Sequence, residues 1–449
     1  MARPPLSIRG VDSYPALRFG SAIGGGVLML RWFAVVAVLA MLSVGCATTP
    51  GGPVDPSPSA TPTPSSTPTP SATPTPSESP TPSATSTPTS TPTPTVAPQA
   101  PKNMGRVGAA GEWSVVSTGY WTTCGIKKDH SLWCWGNNTY GSLGDGTTVN
   151  KSAPSRVGVD SDWATVSTSS GFTCGIKLNG TLWCWGMDGL SHSEYLGYDY
   201  QYPHENPWPI GFDSDWKSVS VGPASAMSAC ALKNNGSLWC WGLNGKGQVG
   251  DGTRDFRMNL TEITPGVVWK SVEMGGGQAC GIRSDNSLWC WGGNQFGELG
   301  TGDQDPRLVP TRIGTDTDWK SLSLAESRTC AVKQDSSAWC WGADPYSPYD
   351  PSATPPMPIV LTPTRVHADK TFEQYSTGFP LDCGISTDSS LWCWNQYQGP
   401  VVGSAEILVD PATGWSTHSG RLGHNCGIEQ SGSLWCWADN NNYGALGHD

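Results

Sequence analysis

The chain has 449 residues, with 26 Lys and Arg against 37 Asp and Glu, a formal net charge of −11, and 15 cysteines. Its cations are scattered rather than striped, and a nucleic-acid-binding surface requires a basic patch, so that class of partner is excluded. Cysteine usage instead raises the question of an oxidising compartment.

Taken in chain order, residues 32–44 form an apolar run behind Arg31. The run is too short to span a bilayer and has the character of the h-region of a signal peptide. It closes on Leu42-Ser-Val-Gly-Cys46, which resembles a bacterial lipobox and implies diacylation of Cys46 as the mature N-terminus. The stretch before Arg31 is long for such a signal, and Met29, behind Gly24-Gly-Gly26, is an alternative start. Residues 47–101 are Thr-Pro and Ser-Pro repeats that bury no core, so a stiff, disordered spacer of up to roughly 170 Å is expected at about 3.1 Å per residue. The predicted organisation is a signal peptide over 1–46, a linker over 47–101 and a folded domain over 102–449.

Within 102–449 a cysteine is followed nine residues later by Trp-Cys-Trp seven times, at intervals of 43 to 56 residues, a period typical of one propeller blade or one solenoid turn. Pairing Cys124 with Cys134 across a hairpin sets Gly125 opposite Trp133 and leaves Lys128-Asp129-His130 as a three-residue loop. The third loop position favours a residue tolerant of positive φ, and it holds Gly180, Gly236, Asn286 and Gly432 in four copies, with His130, Ser336 and Ser389 in the others. The residue opposite the first Trp is Gly or Ala in every copy, as expected if it lies beneath that indole. This register predicts seven disulfides: Cys124–Cys134, Cys174–Cys184, Cys230–Cys240, Cys280–Cys290, Cys330–Cys340, Cys383–Cys393 and Cys426–Cys436, leaving Cys46 alone. Zinc is the poorer explanation, because cysteines ten apart lack a fixed His partner.

Each copy has an upstream strand opened by Trp113, Trp163, Trp216, Trp269, Trp319, Phe372 or Trp415, and a downstream segment such as Pro154-Ser-Arg-Val-Gly158. The last copy lacks that segment, while Arg106-Val107-Gly108 stands unclaimed ahead of the first. Joining the two completes a seventh blade and closes the ring, whereas a solenoid would need polar caps. The predicted fold is all-β, a seven-bladed β-propeller whose N-terminal strand closes the last blade.

The motifs Lys177-Leu-Asn-Gly-Thr-Leu-Trp-Cys-Trp-Gly186 and Gly141-Ser-Leu-Gly-Asp-Gly-Thr147, with their counterparts, resemble the regulator of chromosome condensation repeat. That seven-bladed propeller family includes a chromatin-bound exchange factor and, more distantly similar to this chain, the bacterial β-lactamase inhibitory protein II. The resemblance covers about residues 104–449 and implies the fold; the family hosts unrelated activities, so it carries no function over. No local motif maps the exchange-factor residues, and the cysteine pairs look like an extracytoplasmic elaboration.

The repeat accounts for most tryptophans, so the candidate binding residues are those where it breaks. The Gly-x-Leu/Val-Gly turn after the hairpin persists in four copies and is abandoned in blades two, five and six. Blade two offers Tyr195, Tyr198, Tyr200, Tyr202, His204 and Trp208; blade five Tyr346 and Tyr349; blade six Tyr397. Tyr and Trp dominate binding hot spots, and loops altered at the same connection should emerge on one face. The seven histidines show no metal-ligand spacing, and no serine sits in a nucleophile elbow. The pairs Asp160/Asp162, Asp213/Asp215 and Asp316/Asp318 recur before a repeat Trp, which suggests turn hydrogen bonding. Calcium at the Asp-Gly turns of Asp145 or Asp251 would lack enough grouped oxygens.

These observations lead to an expected monomer without cofactor, metal or catalytic residues. It is lipid-anchored in the bacterial cell envelope, outside the cytoplasmic membrane, and binds an extracellular or cell-envelope protein through one loop face. A lectin-like module for glycans is the alternative, and an enzyme with a central-channel site the third reading.

Overall fold

The computed structural model describes residues 101–169, 171–187, 204–223, 227–343, 358–378, 381–395, 406–409, 414–421, 423–438 and 441–448. Cys46, the apolar run and the Thr-Pro segment lie outside them. The described residues form seven four-stranded antiparallel sheets and no α-helix. Blade 1 runs Trp113–Thr118, Thr122–Lys127, Leu132–Gly136 and Lys151–Arg156, and the other blades repeat this order. The first strands of successive blades touch one another around a closed circuit, Trp415–Arg421 of blade 7 meeting Trp113–Thr118 of blade 1, so they are innermost.

The ring closes as the orphan segment predicted. Gly105–Val107 is the outermost strand of blade 7, with Gly105 opposite Cys436, Arg106 opposite Trp435 and Val107 opposite Leu434. Val107 is fully buried at the place that Val157, Ile263 and Ile313 take in internal blades, and its carbonyl accepts the Trp113 indole N–H at 3.1 Å.

The hairpin register also holds in every blade. Cys124 stands opposite Cys134 and Gly125 opposite Trp133, and the seven predicted disulfides are formed, each across a Cα separation of 4.1 Å. All seven third-loop residues are left-handed, including His130 (φ 63°), Ser336 (64°) and Ser389 (68°). A Cβ on Gly125 would meet Trp113 at 2.7 Å, and one on Gly281 would meet Trp269 at 2.8 Å, so the small residue makes room for the inner-strand indole, not for its cross-strand neighbour.

Strand alternation explains Trp-Cys-Trp. The cysteine points to one face of its blade and both tryptophans to the other, so every interface sets a disulfide against aromatic rings of the next blade, with Phe372 in place of the inner-strand Trp between blades 5 and 6. The disulfide Cys124–Cys134 packs against Trp163, Trp183 and Trp185 of blade 2, and Cys426–Cys436 packs against Trp113, Trp133 and Trp135 of blade 1. In the chain-entropy account each short loop so closed contributes about 2–3 kcal/mol.

Candidate functional site

Two sets of connections emerge on one face: the turn between the first and second strands of each blade, and the loop between the third and fourth. A repeated backbone bond ties them together, from Asn137 N to Trp121 O, Met187 N to Gly171 O, Leu243 N to Met227 O, Gly293 N to Gly277 O and Ala343 N to Ser327 O, at 2.8–3.0 Å. The altered connections of blades two and five therefore begin on this face. The opposite face carries the tight hairpin turns.

Where the Gly-x-Leu/Val-Gly turn persists, it serves the next blade. Trp185 donates its indole N–H to Ser142 O, Trp291 to Gln248 O, Trp341 to Glu298 O and Trp135 to Ala445 O, at 2.9–3.0 Å. Gly144 and Gly447 press on those rings so closely that a Cβ would lie 2.6 Å from the indole nitrogen. An asparagine organises each such loop: the side-chain oxygens of Asn138, Asn244, Asn294 and Asn441 accept the N–H of Leu143, Val249, Leu299 and Leu446. Behind blades two and six, which abandon the turn, the buried indole nitrogens of Trp241 and Trp437 have no hydrogen-bond partner among the described residues.

The loop face gathers aromatic side chains at blades 7 and 1. Tyr120 stands edge-on to Trp121 at 4.4 Å between ring centres, and Trp121 lies 5.8 Å from Tyr443. Tyr120, Tyr140 and Tyr443 are 39%, 44% and 51% exposed, enough for each to offer a ring to a partner. Tyr120 and Trp121 occupy a turn where blade 4 has Gly275, Gly276 and Gly277. Gly119, which begins it, has no room for a Cβ, because the Ser169 backbone would be 2.7 Å away.

At the centre, the fifth position of the inner strand is serine in six blades: Ser117, Ser167, Ser220, Ser323, Ser376 and Ser419. Five of them accept a backbone N–H from the next blade at 2.9–3.1 Å: Ser117 from Thr168, Ser167 from Val221, Ser220 from Met274, Ser323 from Thr377 and Ser419 from Thr118. In blade 4 the position is Glu273, whose carboxylate accepts from Ser220 Oγ at 2.8 Å. Arg421, at the end of the blade 7 inner strand, reaches across to blade 3 and donates from Nη1 to Val221 O at 2.9 Å. Burial pushes the Glu273 carboxyl up, with the Arg421 charge opposing, and pushes the Arg421 guanidinium down.

The candidates read from the sequence are distributed differently. His204 and Trp208 lie on the outer strand of blade 2, His204–Pro209, at the rim. Their rings are 5.9 Å apart, Trp208 is 48% exposed, and neither is brought to the Tyr120–Trp121–Tyr443 cluster. Tyr195, Tyr198, Tyr200, Tyr202, Tyr346, Tyr349 and Tyr397 fall outside the described residues. The recurring aspartates do more than shape turns. Asp160 and Asp162 clamp Lys177 at 2.6 and 3.2 Å, Asp213 and Asp215 clamp Lys233, and Asp316 and Asp318 clamp Lys333, while Lys177 lies over Trp163 and Trp183. Asp145 is bonded to Thr147 and Lys151, and Asp251 to Thr253 and Arg257. No group of three or more His, Cys, Asp or Glu among the described residues is arranged to hold a metal. His418 and His424 are buried in blade 7, which lowers their pKa values to about 3 and about 4.

The fold and site define a disulfide-stapled, seven-bladed β-propeller whose loop face carries an aromatic cluster at blades 7 and 1. Regulator of chromosome condensation (RCC1) repeats are matched in parts of it: one family model of that description matches residues 129–176 and 285–332, and a second matches 114–142, 216–248 and 269–298. No curated protein sequence matches the chain. Among solved structures, Prp20p from Saccharomyces cerevisiae is similar at 16% identity, over 74% of this chain and 84% of that one, with a TM-score of 0.58. Human WBSCR16 is similar at 18% identity, over 71% and 91%, with a TM-score of 0.59. Yeast RCC1 (Prp20) bound to Kap60 is similar at 18% identity, over 74% and 82%, with a TM-score of 0.57. At these identities the likeness is one of fold.

Proposed function

We propose that this propeller is a surface-tethered scaffold that binds an extracellular or cell-envelope protein through its loop face. The exposed cluster of Tyr120, Trp121 and Tyr443 beside the channel carries the reading. Such rings contribute large contact area at little conformational cost, and here they stand on a rigid ring of blades. Seven buried disulfides suit an oxidising compartment, in keeping with a lipid anchor at Cys46 and a Thr-Pro stalk leading outward. Protein recognition also has precedent on the fold, since Prp20p is described with its binding to Gsp1p and histones and in complex with Kap60. That precedent is an analogy of scaffold, and no partner is carried over.

Crosslinking on intact cells, followed by capture through the propeller and mass spectrometry, tests this. The parent is run beside a Tyr120→Ala/Trp121→Ala/Tyr443→Ala variant and a Tyr198→Ala/Tyr200→Ala/Tyr202→Ala/Trp208→Ala variant. A protein recovered by the parent and lost from either variant is the expected result. Enrichment of glycan fragments instead would replace the reading with the lectin-like one, and capture unchanged in both variants would refute recognition by these aromatics.

A further inference from the structure

We infer that the outer edge of blade 3 docks an extended segment of a partner protein as a fifth strand, with a Lys or Arg of that segment set against Glu262. The site lies on the rim, apart from the loop face, and goes beyond the recognition proposed there.

An edge strand offers unpaired N–H and C=O groups to any approaching chain, and proline is a common guard against it. Among the described residues five outer strands have six or more residues. Four of them carry proline immediately before the residue that faces the second cysteine of the blade: Pro154, Pro207, Pro310 and Pro363. In the outer strand of blade 3, Arg257–Ile263, that place holds Leu260. Cys230 and Cys240 face each other at a Cα separation of 4.1 Å, the spacing of a non-hydrogen-bonded pair. Cys240 therefore turns its N–H and C=O to Thr261 on the outer strand, and alternation aims those of Leu260 and Glu262 outward. Proline deletes the outward N–H in the four guarded blades. Leu260 keeps it, and among the described residues no hydrogen bond from beyond the sheet reaches the backbone of Leu260 or Glu262.

Charge selects the occupant. Trp133, Trp289 and Trp339 have Arg156, Arg312 and Arg365 opposite, but Trp239 has Glu262. Each arginine donates to a carbonyl three residues on, that of Val159, Thr315 or Ala368. Glu262 is half-buried and makes no ion pair within 4 Å among the described residues. A Lys or Arg opposite it on an added strand supplies that pair. The next residue of such a strand points to the other side, toward blade 4, where a cavity of about 520 Å³ opens to solvent. Residues 261–265 line it in succession, with half-exposed Val309 across from them, and the Asp251–Arg257 ion pair in its wall is already made. A small apolar side chain suits that space. The Thr-Pro stalk fits the edge less well, since its prolines lack the N–H donors a strand needs. A second copy of this edge sets Glu262 against Leu260 or another Glu262, neither of them a base.

The test is a fluorescence-anisotropy titration of the full-length, oxidised protein with three labelled hexapeptides. They are acetyl-Thr-Lys-Val-Lys-Val-Thr-amide, its counterpart with glutamate for both lysines, and the lysine peptide methylated on both lysine backbone nitrogens. The unmethylated lysine peptide is expected to bind at least tenfold more tightly than the other two. Leu260→Pro, which installs the residue of four other blades, should weaken it at least tenfold. Glu262→Arg should reverse the preference toward the glutamate peptide, a gain that misfolding cannot mimic. The Tyr120→Ala/Trp121→Ala/Tyr443→Ala variant should bind the lysine peptide as the parent does, so failure of the loop-face reading would leave this site standing. Equal binding of the methylated peptide, binding unchanged in Leu260→Pro, or no binding of any peptide would overturn the inference. Peptide binding lost from the aromatic variant would overturn it too, by moving the peptide to the loop face. So would a dimer in sedimentation that Leu260→Pro dissolves, since a second copy would then hold the edge.

Discussion

Val107 gives the sharpest test of how the ring is held. It belongs to a three-residue strand at the edge of the last blade, yet it is 0% exposed and packs with Trp113, Leu434, Cys436 and Leu446 between blades 7 and 1. Val107→Ala removes two methyl groups, about 0.8 kcal/mol each in transfer, and leaves a cavity, so a loss of about 2–3 kcal/mol is expected. Val157 takes the equivalent place after the outer strand of blade 1 and is 1% exposed; Val159, two residues on, is 86% exposed. Guanidinium unfolding of the oxidised protein, followed by tryptophan fluorescence, should therefore show Val107→Ala matching Val157→Ala. Val159→Ala should stay within about 0.5 kcal/mol of the parent. Deleting residues 105–107 should cost more still, because it also strands the Trp113 indole N–H in the interior, worth about 1–3 kcal/mol. If Val107→Ala behaved like Val159→Ala, the strand would be an ornament and the closure argument wrong.

Three further outcomes are expected. Non-reducing peptide mapping should recover Cys124 linked to Cys134 and the six equivalent pairs, and any link between blades would contradict the hairpin register. Gly447→Ala should cost clearly more than Gly158→Ala: both are left-handed, but a Cβ at Gly447 meets the Trp135 indole, whereas one at Gly158 meets nothing within 4 Å and carries only the backbone penalty of about 1 kcal/mol. Equal losses in calorimetry would refute the packing role of that turn. Burial holds His418 and His424 neutral, with folded pKa values of about 3 and about 4 against about 6.5 unfolded. Their contribution is complete above pH 6.5 and is lost as pH falls toward the folded values, at about 1.4 kcal/mol per pH unit for each. His418→Val, the residue at that position in blades 1 to 4, should flatten the stability profile between pH 6.5 and 5, and an unchanged slope would show that this histidine is not the sensor.

How much was legible depends on the range of the interaction. The hairpin pairings, the disulfides and the left-handed turn at His130, Ser336 and Ser389 are local, and a seven-fold repeat averages out local ambiguity. The closure of the ring could also be read, because a missing strand at one end and a spare one at the other leave little choice. Contacts between blades were not legible. The hairpin by itself sets Gly125 beneath Trp133, whereas the inner strand brings Trp113 closer. The aspartate pairs look like turn residues in the sequence because their partner, Lys177 in blade 2, lies on another strand. Arg421 and Val221, 200 residues apart, meet only through the ring. The Tyr120–Trp121 pair does leave a signal, two bulky rings in an inner turn where blade 4 has three glycines, but it lies outside the abandoned Gly-x-Leu/Val-Gly turns.

The central claim is that recognition belongs to the loop face. A photocrosslinking residue placed at Tyr140 or Tyr443 on that face, and at Leu178 or Phe212 on the other, compares the two directly on intact cells. Leu178 and Phe212 are 58% and 98% exposed, so the opposite face has apolar side chains of its own to offer. Adducts from Tyr140 and Tyr443, absent from Leu178 and Phe212, are the predicted result; adducts confined to Leu178 or Phe212 would contradict the account.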